Sequence, residues 1–274
     1  MLDLDAVRPL ILDALAEDIG TGDITSELTV PEDARGRGRI VAKEAGVLAG
    51  VPVAMEALRL AAGATFEFAA EDGSTVAAGD EVLRFTGPAR GLLTGERVAL
   101  NFLSHLSGVA TLTAKFVAAV EGTGAQVLDT RKTLPGLRRL QKYAVTCGGG
   151  VNHRYALYDA VLVKENHLAF GGNLAEALAA RPDGMPAIVE SENLDEFRAA
   201  RDAGADVVMV DEFTLDDVRT AKAEAGDVQL EVSGGINLDT IRAYAEAGAD
   251  RISVGALTHS VKCLDLSMRV EPLR

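Results

Sequence analysis

The strongest constraint on this chain is a series of short apolar runs in its second half, interleaved with stretches of helical periodicity. The runs are AQVLDT, DAVLVKE, PAIVES, DVVMVDE, VQLEVSG and RISVGA. Segments of near-continuous Val, Ile and Leu suit strands buried on both faces of a parallel sheet. Between the later runs lie NLDEFRAARDAG, TLDDVRTAKAEAG and NLDTIRAYAEAG. Each opens on a capping residue (Asn193, Thr214, Asn237) and closes on a glycine (Gly204, Gly226, Gly248), as helix termini do. Successive strand–helix units imply right-handed crossovers and an α/β fold.

An open doubly wound sheet and a barrel both satisfy that alternation. The placement of polar residues separates them. Asp129 to Lys132, Lys164 with Glu165, Glu190, Asp211 with Glu212, Ser233 to Gly235, and Gly255 all stand at the C-terminal end of a run. In a β/α barrel those ends form one rim, where active sites sit. In an open sheet they would spread along an edge and share only a crevice. Convergence favours the barrel. Six clear runs instead of eight mean that strands are hidden or that the barrel is incomplete.

The first half reads differently. Residues 1–18 have helical spacing, which EDIGTGDIT breaks with glycines and polar turn formers. Beyond Pro31 come β-like segments, GRIVAKEAGVLAG, ATFEFAAEDGSTVAAG and DEVLRFTG, with a helical VAMEALRLA between the first two. DGSTVAAGDEVLRF is similar to the hairpins of biotinyl and lipoyl carrier domains. Those carry their cofactor on a lysine at the tip, and no lysine lies between Lys43 and Lys115, so a structural hairpin is expected. LLTGERVALNFLSHLSGVATLTAKFVAAVEG predicts one or two helices linking the halves.

Charge narrows the function. With 27 Lys+Arg against 41 Asp+Glu, a net charge of −14, nucleic acid is excluded as the main partner, since binding it needs a basic face. Seven lysines against twenty arginines leave the acidic surface lysine-poor, which fits adaptation to high salt. A steady decline of activity with added KCl would contradict that. No apolar run reaches the length of a membrane span and MLDLDAVRPL is no signal pattern, so a cytoplasmic enzyme without membrane partners is expected. Cys147 and Cys263 form no CxxC or Cys/His spacing and read as structural thiols.

Against that acidity stands a basic island. From Arg131 to Lys164 the charged residues are Arg131, Lys132, Arg138, Arg139, Lys142, Arg154 and Lys164, with Asp159 the one acid. Arg131 offers a fork that matches a carboxylate, and Lys132 a compact charge suited to phosphate. Pro135 places a helix start near PGLRRLQKYAV. Arg139 and Lys142 are read as its solvated face, and Arg138 is left open. CGGGVNHR presents His153 and Arg154 beside three glycines that are costly to order without reason. Lys164 ends an otherwise buried strand and needs a negative partner such as Glu190, Asp211 or a ligand carboxylate. A Schiff-base lysine is the rival role. Glu190 and Asp211 suggest ribose contacts or a shared Mg²⁺. The turns Ser233–Gly234–Gly235 and Val254–Gly255–Ala256, between strand and helix, favour phosphate.

TRKTLPGLRRLQKYAVTCGGGVNHRYALYDAVLVKENH closely resembles the signature region of the quinolinate phosphoribosyltransferase family. The similarity continues through EDIGTGDIT, GERVALNFLSHLSG, VE, VDEF, EVSGGI and ISVGALTHS, covering nearly the whole chain. It implies an N-terminal α/β sandwich domain over 1–108 and an incomplete, seven-stranded TIM-like α/β barrel over 109–264, with a tail at 265–274 returning to the first domain. It implies that quinolinate and phosphoribosyl pyrophosphate give nicotinate mononucleotide, pyrophosphate and CO₂, with Mg²⁺ and no organic cofactor. Thr130, Arg131, Lys132, His153, Arg154 and Lys164 would line the ligand site, Glu190 and Asp211 the ribose and Mg²⁺ side. Ser233, Gly234, Gly235, Val254, Gly255 and Ala256 would hold phosphate. Arg97 would reach a neighbouring subunit's pocket, making a homodimer the minimal unit and leaving higher oligomers open. Departures from the family pattern are Leu134, Thr146 and Glu212, the last where Asn is frequent.

Overall fold

The computed structural model describes residues 2–170 and 172–273; Met1, where the expected first domain begins, and Arg274, where the expected tail ends, lie outside them, as does Gly171. In chain order the elements begin with α1 (Arg8–Ile19), α2 (Ile24–Thr29), β1 (Arg35–Ala42), β2 (Gly46–Val47), α3 (Val51–Ala62), β3 (Thr65–Ala69), β4 (Thr75–Val76), β5 (Glu81–Pro88) and α4 (Ala89–Ala119). They continue with β6 (Gln126–Leu128), α5 (Arg138–Cys147), β7 (Val161–Val163), α6 (Glu165–Leu168), α7 (Leu174–Ala179), β8 (Ala187–Ser191), α8 (Leu194–Asp202), β9 (Val207–Asp211) and α9 (Leu215–Glu224). Last come β10 (Gln229–Ser233), α10 (Ile241–Glu246), β11 (Arg251–Ser253), α11 (Ala256–His259) and β12 (Leu266–Pro272). The chain divides into two compact units, one of residues 2–112, 134–149 and 260–273, the other of 113–133 and 150–259.

The first unit is built on a four-stranded antiparallel sheet in the order β12-β1-β5-β3. β1 alternates exposed and buried positions, so Gly36, Gly38, Ile40 and Ala42 face inward while Arg35, Arg37 and Arg39 face out. The segment 266–272, within the expected tail, pairs along β1 as β12. The expected linking helices form one helix, α4. An 18-residue window of α4 has a mean hydropathy of 1.2, so by length and composition one helix among the described residues could cross a membrane. That corrects the expectation that no run is long enough. The buried side of α4 is used internally: Ser107 Oγ accepts from the Ala49 N–H at 3.1 Å and Thr111 Oγ1 from the Val47 N–H at 2.8 Å. A core helix explains the apolar composition.

The second unit holds the six apolar runs as six parallel strands, in the order β6-β11-β10-β9-β8-β7. Its first strand in the chain, β6, pairs with its last, β11. An open doubly wound sheet does not close first strand on last; a barrel does. Val151 adds a seventh position beside β6, reduced to a single parallel bridge with Leu128. No backbone ladder joins it to β7 among the described residues, so the ring stays open there. Ala160, Ile188, Val207 and Met209 pack together, with Leu162 against them.

The helices follow their caps. Asn193 Oδ1 accepts from the Glu196 N–H and Thr214 Oγ1 from the Asp217 N–H, starting α8 and α9 as expected. Asn237 instead closes a turn, accepting from the Asp239 and Thr240 N–H groups, and α10 starts only at Ile241. A side chain that satisfies its own turn leaves the helix start displaced. α5 likewise begins at Arg138, three residues beyond Pro135. On that helix Arg139 is exposed, but Lys142 is buried at 1% exposure. This corrects the reading of Lys142 as solvated: it lies on the buried side of an amphipathic helix, with Leu140 and Gln141 beside it.

Candidate active site

Strand alternation decides which side chains reach the interior of the curled sheet. The registers put Glu190 beside Met209, Met209 beside Glu231, and Glu231 beside Arg251. One pleat further along, Asp211 and Ser233 stand side by side. Lys164 follows β7 directly and meets Glu190 at the end of β8 in a close ion pair. The need for a negative partner, argued from burial, is met by a carboxylate of the next strand. Lys164 Nζ is therefore paired, which is the arrangement of an ion pair and not of a free nucleophilic amine.

Carboxylates gather at this end. Glu192 has its carboxyl raised above the ordinary range, first by the charge of Glu165, then by burial, Glu196, Glu190 and Asp211. Among the described residues no group of three or more His, Cys, Asp or Glu is arranged to hold a metal ion. Glu190 and Asp211 still fit Mg²⁺, which binds through one or two carboxylates and keeps water and substrate oxygens as its other ligands. Of the two, Glu190 is engaged by Lys164.

The cations are arranged oppositely. Arg154 is pushed below the ordinary guanidinium range, chiefly by burial and then by the charge of Arg131. Asp159 offsets part of that at Arg154, and two neighbouring, partly buried guanidiniums favour a further anion, which marks a candidate site. His153 is buried, and its backbone N–H donates to Asp129 Oδ1 at 2.9 Å. Thr130 Oγ1 accepts from the Lys132 N–H at 3.0 Å, turning the chain at the end of β6. Of the three glycines before this loop, Gly149 has φ +84 beyond the end of α5, a left-handed conformation that glycine adopts freely.

The two glycine turns are close-fitting. Gly234 has φ +90, and a Cβ there would lie 2.7 Å from Asp211 Oδ1. At Gly255 a Cβ would lie 3.1 Å from both Lys132 Cδ and His259 Nε2. Lys132 thus runs past the second turn, and its carbonyl accepts from Thr258 Oγ1 at 3.0 Å. Val254 is buried and Ala256 begins α11. Beside Gly234, Glu212 has φ 57, the one left-handed residue other than glycine among the described residues. Asn enters that region more readily than Glu.

The second unit therefore brings Thr130, Arg131, Lys132, His153, Arg154, Lys164, Glu190, Asp211 and both glycine turns to one end of its sheet. Arg97 belongs to the other unit, exposed on α4. Sequence reasoning missed four residues: His259, which leans over Gly255, and Glu231, Arg251 and Ser253. Glu231 is fully buried, with Ser253 Oγ donating to its Oε1 at 2.5 Å and Arg251 Nε to its Oε2 at 2.9 Å. Burial raises its pKa, but His153 and Arg251 outweigh that and hold it below the usual carboxylate range. A signal was present: a glutamate inside the apolar run VQLEVSG is a buried charge that must find partners.

Known proteins resemble this chain in sequence and fold. The family model for the quinolinate phosphoribosyl transferase N-terminal domain matches residues 23–107, and that for its C-terminal domain residues 109–269. The chain is 43% identical to the nicotinate-nucleotide pyrophosphorylase (carboxylating) of Mycobacterium leprae, over 97% of this chain and 98% of that protein. It is 41% identical to the probable enzyme of that name from Bacillus subtilis, over 96% and 93% of the two chains. The solved nicotinate-nucleotide pyrophosphorylase of Francisella tularensis superposes with a TM-score of 0.95 at 41% identity, covering 99% of this chain and 98% of that one. With both domain models matched nearly end to end, the chain belongs to the quinolinate phosphoribosyltransferase family.

Proposed function

We infer that this chain is a nicotinate-nucleotide pyrophosphorylase of the carboxylating type, named for the reverse direction. It transfers phosphoribosyl from phosphoribosyl pyrophosphate to quinolinate, giving nicotinate mononucleotide, pyrophosphate and CO₂, a step of de novo NAD synthesis. The observation that carries this reading is the pair of partly buried arginines, Arg131 and Arg154, at the end where two glycine turns stand. Quinolinate has adjacent carboxylates on one ring, and each guanidinium can take one in a two-point contact.

Departure of pyrophosphate leaves an oxocarbenium-like ribose carbon while negative charge grows on the leaving oxygens. Lys132, running past Gly255, is placed to meet that charge, and a donor preset for charge that appears only in the transition state lowers the barrier. The turns at Ser233–Gly235 and Val254–Ala256 hold the 5′-phosphate, so remote binding positions the reacting carbon. Asp211 and Glu190 would hold Mg²⁺ together with water and substrate oxygens. Bound Mg²⁺ supplies charge neutralisation on the diphosphate. The ring nitrogen, once ribosylated, is a pyridinium. Cleavage of the bond to the 2-carboxylate leaves its electron pair on the ring carbon, which takes up a proton as CO₂ departs.

The enzyme works as a homodimer in the cytoplasm, with Arg97 entering the partner's site. Mixed dimers of Arg97→Ala with Lys132→Ala subunits should recover activity; verified mixed dimers that stay inactive would contradict sharing. The reaction itself is tested by following nicotinate mononucleotide and CO₂ from quinolinate with intact protein and Mg²⁺. Stoichiometric release of both is expected, and their absence would refute the assignment. A Schiff-base role for Lys164 predicts a borohydride-trapped adduct instead, which its pairing with Glu190 disfavours.

A further inference from the structure

We propose that Glu231 is a positioning residue for the dicarboxylate pocket, acting through His153 on Arg154 and joining that pocket to the strand beside the second glycine turn. The inference rests on the function proposed above for the pocket, but its geometry is independent of it. His153 Nδ1 accepts from the Arg154 N–H at 2.8 Å. A ring nitrogen that accepts carries no proton, so the proton of the neutral ring is on Nε2. Nε2 faces Glu231 Oε1 at 3.1 Å. Nδ1 is thus taken by the Arg154 backbone and Nε2 is buried facing Glu231, so neither is open as a primary ligand for substrate. What it delivers is the direction of the Arg154 backbone.

The loop bearing Arg154 is pinned twice by buried carboxylates. Asp129, at the end of β6, holds the His153 backbone N–H, and Glu231, on β10, faces the ring. Glu231 is also tied to β11 through Ser253 and Arg251. Ser253 stands immediately before Val254–Ala256, and Glu231 two residues before Ser233. One buried carboxylate therefore fixes the spacing between the strands that carry the phosphate turns and the loop that carries a carboxylate-binding arginine. A substrate ring that must meet both needs that spacing to within a fraction of an ångström. An ionised carboxylate with no exposed surface would otherwise be a poor choice for stability alone.

The test reads the histidine directly. In ligand-free protein labelled with ¹⁵N-histidine, the neutral His153 ring should be the Nε2–H tautomer; an Nδ1–H tautomer would overturn the proposal outright. Glu231→Gln should mix the tautomers and raise KM for quinolinate about tenfold, with kcat changed much less. Glu231→Asp should recover part of that loss. A folded Glu231→Gln enzyme with an unchanged tautomer and unchanged KM would refute the positioning role. Should that variant not fold, Ser253→Ala removes a single hydroxyl, and a roughly threefold rise in KM is expected; no change in KM or tautomer there refutes it equally. If wild-type protein makes no product from quinolinate, the proposed reaction fails, while the tautomer measurement still decides the role of Glu231.

Discussion

Arginines gather in two places on this molecule, and the contrast between them teaches what makes a site. On the open face of the antiparallel sheet, Arg39 of β1 lies directly across from Arg269 of β12 and Arg84 of β5. They line a concavity of about 470 Å³ with Arg37, Glu67 and Glu81. Arg84 is 46% exposed and pairs with Glu81 at 2.7 Å; Arg37 is 48% exposed and lies 3.5 Å from Glu67. These charges keep their water, and solvent screens them. At the end of the parallel sheet the arginines are fewer, but Arg154 is depressed by burial and by Arg131. The sheet face has more arginines and a hollow of its own. The barrel end has the desolvation, and desolvation makes a charge seek a ligand.

Substitutions in the two regions should therefore differ sharply. Lys132→Ala removes a charge placed to meet the leaving group, and kcat should fall by about 10²–10³. Arg39→Ala, measured alongside, should leave kcat and KM within about twofold. A comparable loss from Arg39 would mean that the open face takes part in catalysis. Arg154→Ala should raise KM for quinolinate by about 10–100-fold, the worth of one hydrogen-bonded charge, and KM for phosphoribosyl pyrophosphate by far less. Equal effects on both substrates would show the pocket to be misplaced.

Smaller effects sharpen the comparison through stability. Glu212→Asn keeps a polar side chain but relieves a left-handed backbone conformation, and should raise stability by about 0.5–1 kcal/mol in urea unfolding, with the slope unchanged. A drop would show that the Glu212 side chain contributes more than its backbone costs. Arg39→Glu sets a carboxylate between Arg84 and Arg269 and should add about 0.5 kcal/mol, since like charges directly across strands are unfavourable. That gain should fade with added salt.

Much of this was legible in the residues. All six apolar runs are the six parallel strands, because burial on both faces leaves a compositional mark that needs no tertiary information. Asn193 and Thr214 announced their helices because capping is local. The seventh strand was not legible: at Val151 it amounts to one bridge, and one residue carries no periodicity. Asn237 misled because a turn and a helix start use the same side chain. Lys142 misled because charge was weighed above position on the helix. Glu231 escaped for a related reason. The demand for a partner was applied to Lys164, at the end of a run, and not to a glutamate in the middle of one. Register, which sets Glu231 beside Arg251, comes only from the folded sheet.

The central claim is that two partly buried arginines, Arg131 and Arg154, read two adjacent carboxylates. Calorimetric titration of quinolinate and of nicotinate, which lacks the 2-carboxylate, into wild-type and Arg154→Ala protein tests it most directly. Wild-type protein should bind quinolinate at least about tenfold more tightly, the value of one charge-assisted contact, and Arg154→Ala should erase most of that preference. Equal binding of the two acids to wild-type protein, or an undiminished preference in Arg154→Ala, would contradict it.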